Sequence, residues 1–274
     1  MALEQGIQPN DTPLPMYRFD ISMNASVSII IPTLNEAKYL AQTVRCLALL
    51  DPPIHEVIVV DGGSRDETVA IAKTLADQLP QIPFTLLQAD QPGRAHQMNL
   101  GADRATGELL CFLHADTLVP SDLVRVIDKT LANPQVACGG FISVMSGETK
   151  TRWGITLHNF LKTYYAPLLF HPYLFFSKGL RLLFGDQVIF CRRADFQACG
   201  SFDPSQPILE EADLCLKLCR RGRIRQVNRV VQSSDRRVAA WGPLKANTIY
   251  LMIGFLWGLG VPGAKLKQFY DDVR

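Results

Sequence analysis

The sequence lacks the residue patterns that mark several common metal and nucleotide sites. Its seven cysteines include no C-x-x-C pair, which argues against a zinc site or a disulfide framework and fits reduced thiols. No G-x-G-x-x-G turn follows the first predicted strand and no Walker A loop is present, so the usual dinucleotide and P-loop phosphate cradles are excluded. The apolar run at residues 249–261 is too short for a bilayer span, which needs ~20 residues. We expect that run to form a core helix or an interfacial helix.

The charge balance disfavours nucleic acid as a partner. The chain has 28 Lys and Arg against 26 Asp and Glu, a net charge of +2, and no recognisable nucleic-acid-binding motif. The excess of basic residues lies in the last third, where residues 181–274 hold 15 basic and 9 acidic side chains. That part of the chain is the better candidate for contact with phosphate or anionic lipid.

Composition divides the chain into three parts. Residues 1–24 contain Pro9, Pro13 and Pro15 and no apolar signal-peptide core, so we expect a loose leader there. Residues 25–230 are predicted to form one catalytic domain. Residues 231–274 are predicted to form a helical extension that packs on the domain or at a membrane surface. We expect a cytoplasmic protein, with peripheral contact at the inner membrane face left open.

Strand and helix signals alternate through the first half. Short runs rich in Val, Ile and Leu predict strands at 27–32, 56–60, 84–88 and 109–113, and helices are predicted between them at 36–50, 65–79 and 94–105. This order predicts an α/β fold with a Rossmann-like, mostly parallel central sheet and helices on both faces. Glu36, Asp61 and Asp116 each follow a strand, so we expect them to line one crevice at the carboxyl edge of the sheet.

Several polar groups near these strand ends suit phosphate-linked chemistry. His114 and Asp116 are two residues apart after the fourth strand, where a carboxylate suits Mg²⁺ or Mn²⁺ bridged to a diphosphate. Arg94 opens the third helix, and a helix N-terminus with a nearby guanidinium attracts phosphate. A later helix begins with Glu210, Glu211 and Asp213, where a carboxylate can act as a general base.

The second half is less regular. Residues 141–145 and 186–191 are predicted strands. Residues 153–184 hold nine of the chain's 24 aromatic side chains. A helical excursion packed on the sheet and an acceptor-facing or membrane-facing surface are equally favoured interpretations of that run.

Four spaced motifs resemble the family 2 glycosyltransferases. They are residues 27–36, 59–68, 112–116 and 210–214. The resemblance implies the nucleotide-diphospho-sugar transferase fold (GT-A-like), with a nucleotide-binding half at 25–120 and an acceptor-side half at 121–230. It also implies metal-assisted, inverting transfer of a sugar to an acceptor hydroxyl. Residues 112–117, 184–187 and 234–237 are also similar to a bacterial subgroup linked to arsenosugar biosynthesis. The resemblance leaves open the donor base, the sugar, the acceptor and the oligomeric state.

The resemblance also implies roles for single residues. Glu211 stands where the family usually has an Asp base, with Glu210 and Asp213 as neighbouring candidates. Asp116 would hold Mg²⁺ or Mn²⁺, with His114 in place of the common first Asp of that motif. Asp186 and Gln187 are candidates for the acceptor. The donor would be bound by Pro32, Thr33, Asn35, Glu36, Asp61, Gly63, Arg94, Ala115, Arg236 and Arg237.

Two other functions are weighed against the transferase. A nucleotidyltransferase would carry a loop rich in Gly and basic residues after the first strand, and residues 32–36 contain none of these. A non-catalytic protein that binds a nucleotide-sugar or a lipid would explain the altered metal and base positions. Donor binding without product would identify that second class.

Overall fold

The computed structural model describes residues 26–270 apart from Pro92 and Glu148. The predicted leader, residues 1–24, therefore lies outside the described residues. Strands and helices alternate in the first half, as β1 (Val27–Thr33), α1 (Leu40–Leu47), β2 (Glu56–Asp61), α2 (Thr68–Gln78), β3 (Phe84–Gln88), α3 (Arg94–Arg104) and β4 (Leu109–Phe112). The four predicted strands and three predicted helices are confirmed, although α1 and α2 begin three to four residues later than expected.

The second half adds strands to the same sheet and helices around it. Its elements are β5 (Thr117–Leu118), α4 (Leu123–Leu131), β6 (Val136–Ser146), α5 (Trp153–Phe170), β7 (Ile189–Arg192), α6 (Arg193–Ala198), α7 (Glu210–Leu218), β8 (Arg223–Ser234), α8 (Arg236–Trp241), α9 (Pro243–Gly258) and α10 (Gly263–Leu266). A π-helical turn covers Leu174–Lys178, and 3-10 turns cover Gly185–Gln187 and Lys267–Phe269.

One eight-stranded sheet runs through the molecule in the order β3-β2-β1-β4-β7-β6-β8-β5. The first four strands are parallel neighbours, and β7 is antiparallel to both β4 and β6. Parallel pairing brings the carboxyl ends of β1, β2 and β4 to one edge of the sheet. This is the arrangement expected from the acidic residues that follow these strands. The predicted α/β class with a mostly parallel sheet is confirmed.

Two apolar cores cover the two faces of the sheet. Alternate residues of β1 point to opposite sides, so that Ile29 and Ile31 join α1 and α4 in one core while Ile30 joins α3 and α7 in the other. Strands that are buried on both faces consist of continuous apolar residues, so their positions could be predicted from the sequence.

Three predicted boundaries in the second half need correction. The strand predicted at 141–145 is β6, which begins five residues earlier, at Val136. β7 begins at Ile189, three residues later than expected, because Asp186 and Gln187 lie in a 3-10 turn and Val188 has a φ of 50°. The division at residue 230 falls inside β8, which continues to Ser234, so the helical C-terminal segment begins at Arg236. That segment packs on α5, where Asn247 hydrogen-bonds His158 at 3.0 Å.

Candidate active site

A cavity of about 170 Å³ opens at the carboxyl edge of the sheet. The turn after β4, the buried side of α5, the Gly185–Gln187 turn, the start of α7 and the C-terminal helices form its walls. Seven of the residues singled out from the sequence line it: Arg94, His114, Asp116, Asp186, Glu211, Arg236 and Arg237. The structure therefore brings one base candidate, two metal candidates, one acceptor candidate and three donor candidates to one place.

The first turn of α7 holds two buried carboxylates. Leu209 precedes them with a left-handed φ of 64°, an uncommon conformation that turns the chain sharply into the helix. Glu210 is 1% exposed and Glu211 is 5% exposed. Arg94 Nη1 lies 3.2 Å from Glu210 Oε1 and 3.9 Å from Glu211 Oε1. The positive end of the α7 dipole adds to this stabilisation of negative charge.

Burial sets the proton affinity of these two groups. Loss of hydration raises the pKa of Glu211, and the Arg94 guanidinium opposes that rise. The pKa of Glu210 is also raised, by burial and by the neighbouring Glu211 charge. Glu211 Oε1 has no hydrogen-bond partner among the described residues. An unsatisfied carboxylate oxygen of raised pKa that faces a cavity suits a general base.

His114 lies beside this carboxylate. Its Nε2 is 3.7 Å from Glu211 Oε1 and, like that oxygen, has no hydrogen-bond partner in the described part of the chain. Burial, together with the charge of Arg94, lowers the pKa of His114 to about 4. The imidazole is therefore neutral near pH 7. This nitrogen faces Glu211, so Asp116 is the better placed of the two metal candidates.

An ion-pair cluster joins the C-terminal segment to the first half of the chain. Arg236 donates two hydrogen bonds of 2.7 Å to the carboxylate of Glu36, and its Nη2 lies 3.3 Å from Asp116 Oδ2. Two carboxylates thus face one cation, which shows that this point of the site accepts positive charge. Across residues 26–270, without Pro92 and Glu148, no group of three His, Cys, Asp or Glu is arranged to hold a metal. A magnesium or manganese site would therefore use Asp116 and substrate oxygens, as such ions commonly do.

The predicted donor residues at the ends of β1 and β2 form a tight, connected turn. Asp61 is 1% exposed and accepts hydrogen bonds from the amides of Gly63 at 3.0 Å and Ser64 at 2.9 Å, and from the Ser64 hydroxyl. Asn35 Oδ1 accepts the amide of Arg65 at 2.8 Å. A nucleobase N–H that bound Asp61 would have to share or replace these bonds.

The remaining donor candidates hold neighbouring strands together, and the Thr33 hydroxyl donates to the Val60 carbonyl at 3.3 Å. Pro32 and Thr33 pair in register with Val60 and Asp61. Ala115 is 2% exposed, and its carbonyl accepts the Thr43 hydroxyl at 2.7 Å. These residues fix the spacing of the strand ends.

Three catalytic and acceptor candidates are not brought to the cavity. The donor candidates at the ends of β1, β2 and β4 do not line it either: Pro32, Thr33, Asn35, Glu36, Asp61, Gly63 and Ala115. Asp213 lies in the first turn of α7 but outside the cavity lining, and it pairs with Lys217 at 2.8 Å. Glu210 lies behind Glu211 and is also outside the lining. Gln187 is buried, donates to the Thr163 hydroxyl at 3.0 Å and accepts the Phe184 amide at 3.0 Å. It holds the turn that contains Asp186. Of the two acceptor candidates, Asp186 lines the cavity and Gln187 does not.

Two cavity residues of α5 were missed in the sequence. Asn159 donates to Asp186 at 3.2 Å, and Lys162 lies 3.7 Å from the centre of the Phe184 ring. Burial lowers the pKa of Lys162 to about 8, against the opposing charges of Asp186 and Glu211. The polar residues at 162 and 163 lie three and four positions after Asn159 in a largely apolar helix. That spacing places them on one side of α5 and could have predicted a polar, cavity-facing side.

Comparison with known proteins agrees with this geometry. The sequence profile described as glycosyl transferase family 2 matches residues 28–195, which is more than half of the chain. The chain belongs to glycosyl transferase family 2. The match contains the four parallel strands, His114, Asp116 and Asp186, and it ends before Glu211.

Two relatives with different names match part of this chain. A PGL/p-HBAD biosynthesis glycosyltransferase of Mycobacterium tuberculosis is 32% identical over 154 residues, which cover 56% of this chain and 59% of that protein. A glucosyl-3-phosphoglycerate synthase of Mycolicibacterium smegmatis is 30% identical over 123 residues, 42% of this chain and 38% of its own length. The chain thus spans about three fifths of the mycobacterial glycosyltransferase and less of the synthase.

Solved structures share the fold. A mannosyltransferase from Pyrobaculum calidifontis, in complex with GDP-Man and Mn²⁺, has a TM-score of 0.64 and 21% identity over 86% of this chain and 65% of its own. Glucosyl-3-phosphoglycerate synthase from Mycobacterium tuberculosis, with Mn²⁺, UDP and phosphoglyceric acid, has a TM-score of 0.61 and 19% identity over 87% of this chain and 80% of its own. Both support the nucleotide-diphospho-sugar transferase fold expected from the motifs.

Proposed function

We propose that this chain is an inverting glycosyltransferase that moves a sugar from a nucleotide-diphospho-sugar to an acceptor hydroxyl. The observation that carries the proposal is Glu211. It is a buried carboxylate of raised pKa with a free oxygen, and it shares one cavity with Asp116 and Asp186. Family membership and the shared fold support the same reaction class.

The proposed mechanism assigns each side chain one task. Glu211 takes the proton from the acceptor hydroxyl, whose oxygen attacks the anomeric carbon as the bond to the nucleoside diphosphate breaks. Asp186, held by Asn159, orients the acceptor. Asp116 would hold Mg²⁺ or Mn²⁺, which neutralises charge on the departing diphosphate. Arg94 and Arg237 line the same cavity, where their charges stabilise that leaving group.

The donor would lie across the ends of β1 and β2. We propose Asp61 as the contact for the nucleobase and Pro32, Thr33, Asn35 and Gly63 as its pocket wall. Arg236 closes this side through Glu36 and Asp116. The proposal of a peripheral membrane location and a lipid acceptor rests on the outer faces of α5 and α9.

Turnover of donor sugars tests the proposal. The purified chain is incubated with UDP-, GDP-, CDP- and dTDP-sugars, with and without Mn²⁺ or Mg²⁺, and nucleoside diphosphate release is measured together with the anomeric configuration of the product. We expect metal-dependent release from one donor class and inverted product. Donor binding without release under any acceptor would indicate a binding protein. Pyrophosphate release from a nucleoside triphosphate and a sugar phosphate would indicate a nucleotidyltransferase.

The pH dependence should report Glu211. The base acts in its ionised form, so kcat/KM is expected to fall as the pH decreases through the raised pKa of Glu211. This acid limb should lie at higher pH than the pKa of an ordinary glutamate. Because Arg94 holds the pKa down, Arg94→Met should move the limb to higher pH. Profiles of kcat/KM for the two proteins check this, and a limb that stays in place would contradict the assigned coupling.

A further inference from the structure

The outer face of α5 is apolar where a water-facing helix is normally polar. Five large apolar side chains on it are between 37% and 69% exposed: Trp153, Leu157, Leu161, Tyr165 and Leu168. At about 100° per residue they fall within an arc of about 120°. The buried residues of the helix, Ile155, Asn159 and Ala166 among them, lie on the opposite side. Such an apolar outer face is typical of a surface that meets another phase or partner.

The outer face of α9 has the same character. Leu244, Leu251, Phe255 and Leu259 are between 50% and 84% exposed, whereas Ala246 and Ile253 on the opposite side are buried. The two helices are in contact, with the rings of Phe170 and Phe255 5.9 Å apart. Beside α5, Tyr173 and Phe176 of the π-helical region are 74% and 72% exposed. We call the exposed apolar side chains of α5, this region and α9 the apolar face.

The two segments that carry the apolar face contain basic but no acidic side chains. Residues 149–185 and 236–270 contain no Asp or Glu, although the chain has 26, and each segment contains five Lys or Arg. Lys178, Lys245 and Lys265 are exposed. An apolar surface rimmed by cations matches the interface of a bilayer that contains anionic lipid. Two copies of the same cationic face would repel each other, so charge argues against self-association through it.

We propose that the apolar face docks onto a bilayer surface containing anionic lipid. No helix in the described part of the chain is long and apolar enough to span a membrane. Docking would therefore leave the helices in the plane of the interface, with Trp153 and Phe255 at acyl depth and the lysines among the headgroups.

The inner sides of the same helices line the proposed active site. α5 contributes Asn159 and Lys162 to the cavity, and α9 contributes Tyr250 and Ile253. Docking would bring the cavity next to the headgroup layer, so the acceptor would be an amphiphile with its hydroxyl at that level. This statement about the acceptor rests on the proposed transferase function, whereas membrane docking does not.

Vesicle binding of the whole chain tests the docking surface. Phosphatidylcholine vesicles with and without phosphatidylserine are sedimented with wild-type protein and with the double variant Leu157→Glu, Leu251→Glu. Wild-type protein is expected to bind the anionic vesicles, and more weakly as salt screens the lysines. The double variant should bind on the order of tenfold more weakly or worse, because it adds two anions to the apolar face. Leu49→Glu is the matched control, since Leu49 is 76% exposed but lies outside these helices.

A second readout places the face in the lipid. Trp153 fluorescence should shift to shorter wavelength on binding, and Trp153→Phe should lose that part of the shift. Equal binding by the double variant and Leu49→Glu would overturn the proposal, as would wild-type protein that ignores anionic vesicles. A wild-type dimer that the double variant dissociates, seen by light scattering, would assign the face to a second copy instead. Nucleoside diphosphate binding, measured on the same variants, tests the donor site separately from the membrane.

Discussion

Replacing Glu211 with glutamine is expected to reduce turnover on the order of 10²-fold or more while donor binding is retained. The amide keeps the shape of the side chain but cannot take a proton from the acceptor hydroxyl. Turnover at saturating substrate and the Kd for the nucleoside diphosphate are the two quantities to measure. Asp213→Asn is the matched control, because Asp213 belongs to the same helix but lies outside the cavity and pairs with Lys217.

Stability distinguishes a lost base from a damaged fold. The pKa of Glu211 is raised in the folded state, so the folded chain holds this proton more tightly than the unfolded chain. The contribution of this bound proton to the free energy of unfolding is present at low pH and is lost as the pH rises through the raised pKa of Glu211. Glu211→Gln should therefore melt no lower than wild-type protein at pH 7. Near-normal turnover in this variant would sink the assignment of Glu211 as the base.

Gly185→Ala is expected to lower turnover by about 10²-fold through displacement of the two groups beside it. A Cβ at this position would lie 2.3 Å from His114 Nε2 and 2.4 Å from Glu211 Oε1. Both side chains would have to move from their present positions. The atoms that clash are ends of side chains rather than backbone, so we expect the protein to fold and the loss to appear in kcat.

Gly154→Ala provides the comparison for this substitution. Nothing lies within 4 Å of a Cβ at Gly154, which is in the first turn of α5. Alanine there should leave turnover unchanged and favour the helix by roughly 0.5–1 kcal/mol. Wild-type turnover in Gly185→Ala would show that the placement of His114 and Glu211 is not needed for the reaction.

The first half of the fold was predictable because its information is local. Each parallel strand is a short apolar run, and its end is marked by a polar residue such as Asp61 or Asp116. β8 was not predicted because six of its twelve residues are exposed, so it shows no continuous apolar run. The start of β7 was misplaced because Val188, a β-branched residue, adopts a left-handed turn conformation instead of a strand.

The ion pairs within the site could not be predicted from the sequence. Arg94 meets Glu210 across 116 positions, and Arg236 meets Glu36 across 200. Spacing alone also did not separate Glu211 from Asp213, because the choice depends on how α7 is rotated against the cavity. The resemblance to a family selected Glu211 first, and the structure supplies the burial and the charge that support that choice.

Thermal unfolding with nucleoside diphosphates is the most direct test of the donor site. UDP, GDP, CDP and dTDP are each added with and without Mn²⁺ or Mg²⁺, to wild-type protein and to Asp116→Asn. One diphosphate at ~100 times its Kd should stabilise the wild-type chain by ~2.7 kcal/mol, a rise in Tm of several degrees. We expect that rise to need the metal and to be lost in Asp116→Asn. No shift with any diphosphate, with or without metal, would contradict the assignment of this cavity to a nucleotide-sugar transferase.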